Sequence, residues 1–443
     1  MAGRDALVGR EAELAELDAV LDALRAGRGG ALRLDGPPGI GKSALLAAAR
    51  PTDLASLTIL GVETEAGLPL AGLDALGLAL SAEQDPAALL RSVAAQLQAM
   101  APLVVLVDDV QWLDPTSRTA IGYLARRAPG LGIAVIAAWS LRGPEPDPWP
   151  GVPVRSLGEL DRTSALRLAS SRGVASGVAA ALVDAVGGNP LALVEAPTVL
   201  TSGQRSGVEL LPSPVPAGPR LSRAYADRMA SLPTACQAAL VLAAAGAPAS
   251  LVAASLGPAE DAGLVRLGPD AGGAIGARVA FTHPLVRSAV YHAAAPSARR
   301  SAHEQIAAVC DEPDRSWHLA LAAVAPDEAL AARLAEVAAA AQRRGAPGTA
   351  AAVYERAARL TPDAEAASER LLLAGSAALV AGAPDRARSL LDAVLPAAVD
   401  AGARADVQLL RGMALNQAGR PAEAFGLLTA EADRVEPTDP LRA

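Results

Sequence analysis

The sequence predicts an α/β core, a parallel sheet with helices on both faces, followed by an all-α lid, a winged helix and helical repeats. Three observations carry that prediction. A glycine-rich run, Gly36-Pro-Pro-Gly-Ile-Gly41-Lys42-Ser43, stands between a strand pattern at Ala31–Asp35 and a helix pattern at Ser43–Arg50. Two further apolar runs, Leu103–Val107 and Gly132–Trp139, read as buried strands of one sheet. From Gly345 onward a short motif returns every 37 residues, as Gly345-Ala-Pro, Gly382-Ala-Pro and Gly419-Arg-Pro.

Each element follows from its own spacing. Leu14, Leu17, Leu21 and Leu24 fall on one helical face, so Glu11–Arg25 is an amphipathic helix that Gly27 to Gly30 terminate. The helix after the glycine-rich run is short because Pro51 cuts it, which alters the sheet edge beside it. Residues 144–153 carry five prolines and leave the core in extended form. Helical patterns resume from Asp161 to about Leu200, and Pro212, Pro214, Pro216 and Pro219 mark a linker. From Leu221 to about His292 the order is helix, helix, short helix, then a hairpin around Asp270 to Gly273 that ends in Val279–Thr282. That order predicts a winged helix.

In the repeats, Ala350, Ala387 and Ala424 stand five positions after their glycines, and Val353/Tyr354, Leu390/Leu391 and Leu427/Leu428 follow in register. Small residues at fixed offsets let paired helices approach closely, as in a tetratricopeptide-like solenoid, whose usual period is about 34. Stacked repeats need a polar cap and none is evident before Ala443, so a longer protein is expected. The boundaries read as 1–158 core, 159–205 lid, 206–220 linker, 221–300 winged helix and 301–443 repeats.

Composition narrows the function. Hydrophobic residues make up 51% but aromatic residues only 2%, so the cores are built from Ala, Leu and Val. A net charge of −8 argues against a large nucleic-acid footprint. Cys236 and Cys310 form no disulfide framework and read as small buried hydrophobes in a reducing cytoplasm. No apolar leader follows the early charge at Arg4. The uncharged stretch Met229–Ala259 is broken by Pro233, Gly246 and Pro248, which favours two buried soluble helices over a membrane span.

The chemistry gathers at a few positions. Of the 39 Lys and Arg residues only Lys42 is lysine, and it stands inside G-x-x-x-x-G-K-[ST]. At that position a compact ammonium reaches the β/γ-phosphates of a nucleotide. Gly36, Pro37, Pro38, Gly39, Ile40, Gly41, Lys42 and Ser43 form the candidate phosphate cradle, with the Ser43 hydroxyl offered to Mg²⁺. Lys42 is expected to face solvent and ligand. Asp108 and Asp109 end an apolar strand 65 residues after Ser43. There Asp108 would hold Mg²⁺ and Asp109 would orient or deprotonate the attacking water, the competing reading being an acidic helix-capping turn. Arg142, just past the third strand, is a candidate γ-phosphate sensor or an ordinary surface arginine. His283, His292, His303 and His318 follow no zinc-ligand spacing.

Four segments together resemble the STAND-type signalling ATPases of the AAA class. They are Leu7-Val-Gly-Arg-Glu-Ala-Glu-Leu14, the P-loop, Val107-Asp-Asp-Val-Gln-Trp-Leu-Asp114 and Gly188-Asn-Pro-Leu-Ala-Leu193. More narrowly, the chain resembles the N-terminal portion of large ATP-binding LuxR-family regulators from actinobacteria. Phe281–Tyr291 and Trp317–Ala320 are similar to that family's segment between ATPase and repeats. The resemblance implies that Val8, Gly9 and Arg10 border an adenine pocket and that Pro190 contacts the base side of the nucleotide. A plain helix-opening proline is the alternative for Pro190. Such regulators continue into a DNA-binding helix-turn-helix, which this sequence does not supply.

The expected function is an ATP/ADP-dependent switch with slow Mg²⁺-dependent hydrolysis. A DNA-loading ATPase of the origin-recognition type and a P-loop enzyme whose turnover is itself the product are the rival readings. Expected partners are a protein or a small-molecule inducer at the repeats, together with nucleotide-dependent self-association. No membrane is expected, and no direct DNA binding by this chain unless a C-terminal helix-turn-helix accompanies it. A recognition helix drawn from the uncharged Met229–Ala259 stretch cannot neutralise phosphates.

Overall fold

The computed structural model describes residues 7–74, 76–78, 85–140, 147, 149–269, 277–398, 400–437 and 439–440. The chain divides into two compact units, Met1–Arg172 with Val186–Glu195, and Gly173–Ala185 with Ala196–Ala443.

The first unit begins with α1 (Glu11–Arg25), β1 (Gly30–Asp35) and α2 (Lys42–Ala48). Then come β2 (Ala55–Leu60), α3 (Ala71–Asp74), α4 (Pro86–Gln98), β3 (Leu103–Asp108), α5 (Pro115–Leu131) and β4 (Ile133–Trp139). β5 (Val154–Ser156) and α6 (Arg162–Ser170) close the run. α7 (Ser176–Val186) falls mainly in the second unit, and α8 (Pro190–Val199) begins in the first, so the expected lid segment is shared between units.

The five strands are parallel in the order β2-β3-β4-β1-β5. β4 therefore lies between β1 and β3, and their C-terminal ends share one edge, with Asp35 opposite Trp139 and Val107 opposite Ala137. β3 and β4 are buried throughout except at Asp108, as continuous Val/Ile/Leu runs in a doubly covered sheet should be. Alternate residues serve opposite faces. Val104 and Leu106 pack with Leu17, Leu21 and Leu45 of α1 and α2, while Val105 and Val107 pack with Leu97, Ile121 and Leu124 of α4 and α5. Each such side chain contributes roughly 1.5–3 kcal/mol on burial.

Sequence patterning located β1, β3 and β4 but not the flanking strands. β2 is a partly exposed edge strand with Ser56 and Thr58 in it, and β5 is three residues at the end of the proline-rich segment. α2 is indeed short at seven residues. α5 opens on Asp114, whose carboxylate accepts from the Thr116 and Ser117 amides at 3.1 and 3.0 Å.

The second unit continues through α9 (Ser202–Ser206), α10 (Pro219–Ala230), α11 (Thr234–Ala245), α12 (Ala249–Val252) and α13 (Gly257–Asp261). The antiparallel pair β6 (Val265–Pro269) and β7 (Ala277–Phe281) follows, with Val265 opposite Phe281. The expected turn around Asp270 to Gly273 lies outside the described residues. α14 (Pro284–Ala293), α15 (Pro296–Val309) and α16 (Asp314–Ala322) come next. The segment read as a linker is packed down: Ser288 donates to the Val215 carbonyl at 2.5 Å, and Val215 and Ala217 are buried.

The repeats are three helix pairs: α17 (Glu328–Arg343) with α18 (Pro347–Leu360), α19 (Ala364–Val380) with α20 (Pro384–Val394), and α21 (Ala401–Gln417) with α22 (Pro421–Val435). Their turns share one conformation. Gly345, Gly382 and Gly419 have φ of +78°, +76° and +75°, a left-handed conformation that glycine adopts without steric cost. The next residue in each, Ala346, Ala383 or Arg420, donates back five positions to Ala341, Ala378 or Leu415 at 2.9–3.0 Å. Proline then opens the second helix of each pair. These are extensive helical repeats of tetratricopeptide-like form.

Candidate nucleotide site

The site lies at the C-terminal edge of the sheet in the first unit. Beyond β1 the chain turns through Gly39 and Gly41, with φ of +78° and +105°, before α2 begins at Lys42. Ile40 anchors the loop from below and is fully buried. A side chain at Gly36 would come within 3.0 Å of both the Ile40 side chain and the Leu157 carbonyl oxygen, so the loop closes tightly over its support.

Lys42 does not face solvent as expected. It is 6% exposed, and its ammonium donates to the Gly36 and Pro37 carbonyls at 2.8 and 2.9 Å. The physical reason is that a desolvated cation takes the nearest oxygens, here those of the loop itself. Burial pushes its pKa down to about 8, against the attraction of Asp109, Asp108 and Asp35.

Asp108 ends β3. Burial pushes its carboxyl up, while a hydrogen bond from Ser43 favours the ionised form. Ser43 and Asp108 share a cleft of about 230 Å³ with Thr58 and Arg50, and Arg50 donates to the Thr58 hydroxyl at 2.6 Å. A hydroxyl beside a largely buried carboxylate is a donor set of hard oxygens, which fits Mg²⁺. Ser43 and Asp108 would hold the ion, which when bound neutralises phosphate charge.

Asp109 has φ of +51°, a left-handed backbone that an L side chain adopts at a cost of roughly 1 kcal/mol or more. The strain turns the chain sharply off the strand tip. Gly61, just past β2, makes room for it, because a Cβ there would meet the Asp109 carbonyl oxygen at 2.1 Å. The Asp109 carboxylate accepts from the Gln111 side-chain amide at 2.7 Å.

The entry segment and α8 are both tied to the loop. Arg10 is buried and donates to the Ile40 and Gly158 carbonyls at 3.0 and 2.7 Å. Gly9, at φ +71°, is pressed against α6, where a Cβ would lie 2.5 Å from the Ser164 hydroxyl oxygen. Val8 is half-buried beside them. Pro190 opens α8; the residue before it, Asn189, donates to the Pro38 carbonyl at 3.0 Å, and the residue after it, Leu191, donates to Gly39 at 3.1 Å. Arg142 lies outside the described residues.

The structure thus brings Lys42, Ser43, Asp108 and Asp109 to one edge, with Arg10 and Pro190 on segments that hold the loop. Sequence reasoning assigned nothing to Gly61, Gln111 and Asn189. Gln111 and Asn189 stand inside motifs that were noticed, but only the fold shows what they touch. The four histidines separate into roles. His283 caps α14 by accepting from the Leu285 amide at 3.0 Å, and His292 pairs with the Pro214 carbonyl at 2.8 Å. His303 and His318 meet Nδ1 to Nδ1 at 2.9 Å.

Residues 6–136 match the family model of the AAA ATPase domain. The first unit therefore contains an ATP-binding ATPase domain of the AAA class. Among solved structures the chain is similar to a signal transduction ATPase with numerous domains from Pyrococcus horikoshii, a STAND protein with a tetratricopeptide repeat sensor. Identity is 15%, coverage 98% of this chain and 72% of that one, and the TM-score 0.32. PCH-2 of C. elegans matches at 16% identity over 38% of this chain and 48% of that one, with a TM-score of 0.27. A katanin structure matches at 14% over 47% and 76%, with a TM-score of 0.24. No curated protein matches the chain. Among the described residues no helix is long and apolar enough to cross a membrane.

Proposed function

We propose that the chain is an ATP-driven regulatory switch of the STAND type, akin to the N-terminal part of a LuxR-family transcriptional regulator. The observation that carries this reading is the convergence of Lys42, Ser43, Asp108 and Asp109 at the ends of β1 and β3, beside a loop clamped by Asn189. Lys42 would exchange its loop carbonyls for phosphate oxygens. Asp109 would orient the attacking water and accept its proton, and Arg142 would sense the γ-phosphate. Val8, Gly9, Arg10 and Pro190 would border the base. Hydrolysis would be slow, since positioning and charge neutralisation are the whole of the chemistry and the product is a change of state.

Residues 221–300 would act as a winged-helix module that packs rather than reads DNA. Helices α11, α12 and α13 contain no Arg or Lys, and α13 carries Glu260 and Asp261. The repeats would receive a protein partner or an inducer, with nucleotide-dependent self-association as a further response.

The test uses the purified chain with a fluorescent ATP analogue, a phosphate-release assay and a labelled promoter duplex. Lys42→Ala should abolish analogue binding while circular dichroism is unchanged. Asp108→Asn should weaken Mg²⁺-dependent binding, and Asp109→Asn should retain ATP but lose about 100-fold or more in turnover. Duplex affinity at physiological salt should be about 10⁻⁴ M or weaker in either nucleotide state. A folded Lys42→Ala protein that binds like the parent removes the nucleotide site. A sequence-dependent, nucleotide-sensitive duplex shift moves the winged helix from packing module to reader.

A further inference from the structure

Gln111 belongs to no part of the machinery assigned so far, yet both ends of its side chain are committed. It sits in the 3₁₀ turn Val110–Trp112 immediately after the strained Asp109, and the turn is pinned by the fully buried Val110. Its amide nitrogen donates to an Asp109 carboxylate oxygen at 2.7 Å. Its amide oxygen accepts from the backbone N–H of Ser140 at 2.9 Å. Ser140 is the first residue beyond β4, the strand that separates β1 from β3.

The chemistry leaves little freedom in this arrangement. A backbone N–H can only donate, so it selects the amide oxygen. The amide nitrogen then faces Asp109, whose ionised carboxylate can only accept. Among side chains of this length, only glutamine supplies an acceptor at one branch and a neutral donor at the other. Glutamate would keep the Ser140 bond but place a second negative charge against Asp109.

We propose that Gln111 is a positioning residue for ATP hydrolysis. It fixes the rotamer of the Asp109 carboxylate, holds one oxygen so that the other is left to take the proton of the attacking water, and ties both to the tip of β4. The role rests on the reading of Asp109 as the water-orienting group. A purely structural role, stapling β3 to β4, makes a different prediction, because Gln111→Glu preserves the bond to Ser140.

The experiment compares the parent, Q111A and Q111E as full chains, measuring ATP turnover, affinity for a fluorescent ATP analogue, and thermal melting. Both variants should bind the analogue within about 3-fold of the parent while kcat falls by about 10- to 100-fold, the signature of an interaction realised in the transition state. Parental kcat in Q111E would overturn the proposal, as would losses of affinity that account for the losses of rate. Should Q111A fail to fold, Q111E, nearly isosteric, carries the test alone. A parent that turns over ATP beside an equally active Q111A refutes only the role of Gln111. A parent with no turnover refutes the hydrolysis reading and this role with it.

Discussion

The side-chain amide of Asn189 donates to the carbonyl of Pro38 at 3.0 Å, joining residues 151 positions apart, and the same side chain caps α8 by accepting from the Ala192 amide at 3.2 Å. The two bonds serve different ends, one holding the glycine-rich loop and one starting a helix. Asn189→Asp keeps the cap acceptor and loses the donor to Pro38, whereas Asn189→Ala loses both. Analogue affinity should fall by about 5- to 10-fold in each, a loss of about 1–1.4 kcal/mol, as for one net hydrogen bond. Only Asn189→Ala should also lose about 1 kcal/mol of stability through its cap. Fluorescence titration and thermal melts separate the two effects. Parental affinity in both variants would show that α8 does not shape the loop.

On the proposed reading, Lys42 should make nucleotide binding sensitive to alkaline pH. With its pKa pushed down to about 8 by burial, the lysine of the free protein loses its proton above that pH, while bound triphosphate holds the ammonium form. Binding therefore takes up a proton above about pH 8, and log affinity should decline there with a slope approaching one per pH unit. Titrations from about pH 7 to about pH 10 test this. A flat profile across that range would mean that Lys42 titrates at its ordinary value.

The buried His303 makes the second unit sensitive to acid. His303 accepts from or donates to the Tyr291 hydroxyl at 3.0 Å and meets His318 at 2.9 Å, with Arg299 and Arg356 nearby and Asp314 near His318. Burial, then the neighbouring His318 and the two arginines, push its pKa down to about 4. The unfolded chain therefore takes up the proton first as pH falls. Stability is complete above about pH 6.5 and is lost as pH falls from there toward about 4, by up to about 3 kcal/mol. In His303→Gln the drop in denaturant midpoint between about pH 7 and about pH 5 should shrink. An unchanged drop would place the acid sensitivity on other groups.

Helix approach in the repeats depends on glycine. A Cβ at Gly375 would lie 2.9 Å from Leu391 Cγ, and one at Gly412 would lie 2.7 Å from Leu428 Cγ. Gly375→Val should cost about 2–3 kcal/mol through overpacking, more than any gain in helix propensity returns. Gly426, in α22 with nothing within 4 Å of its Cβ position, should gain about 0.5–1 kcal/mol on substitution by Ala. Thermal melts of the two variants should move in opposite directions. Equal shifts would refute the close-packing account.

Local chemistry by itself determined the elements that could be read. The apolar runs Leu103–Val107 and Ile133–Trp139 could only be doubly covered strands, because so little polar surface is left to face water. The leucines of Glu11–Arg25 could only form one helical stripe, and Gly345, Gly382 and Gly419 announced three equivalent turns because a left-handed residue favours glycine. Lys42, Ser43, Asp108 and Asp109 could be picked out as candidates from their motifs, since phosphate and metal chemistry favour those side chains in a loop after one strand and at the tip of another.

Tertiary structure decided what depends on pairing across distance. β2 and β5 owe their strand state to neighbours at the sheet edges rather than to any strong pattern of their own, and so escaped the sequence. The burial of Lys42, the close approach of Gly61 to Asp109, the Gln111 bridge to Ser140 and the Asn189 bond to Pro38 all join groups that sequence spacing does not relate. A hydrogen bond or a desolvated charge takes its energy from where its partner stands. That position is set by the packing of the whole sheet and not by the residues on either side.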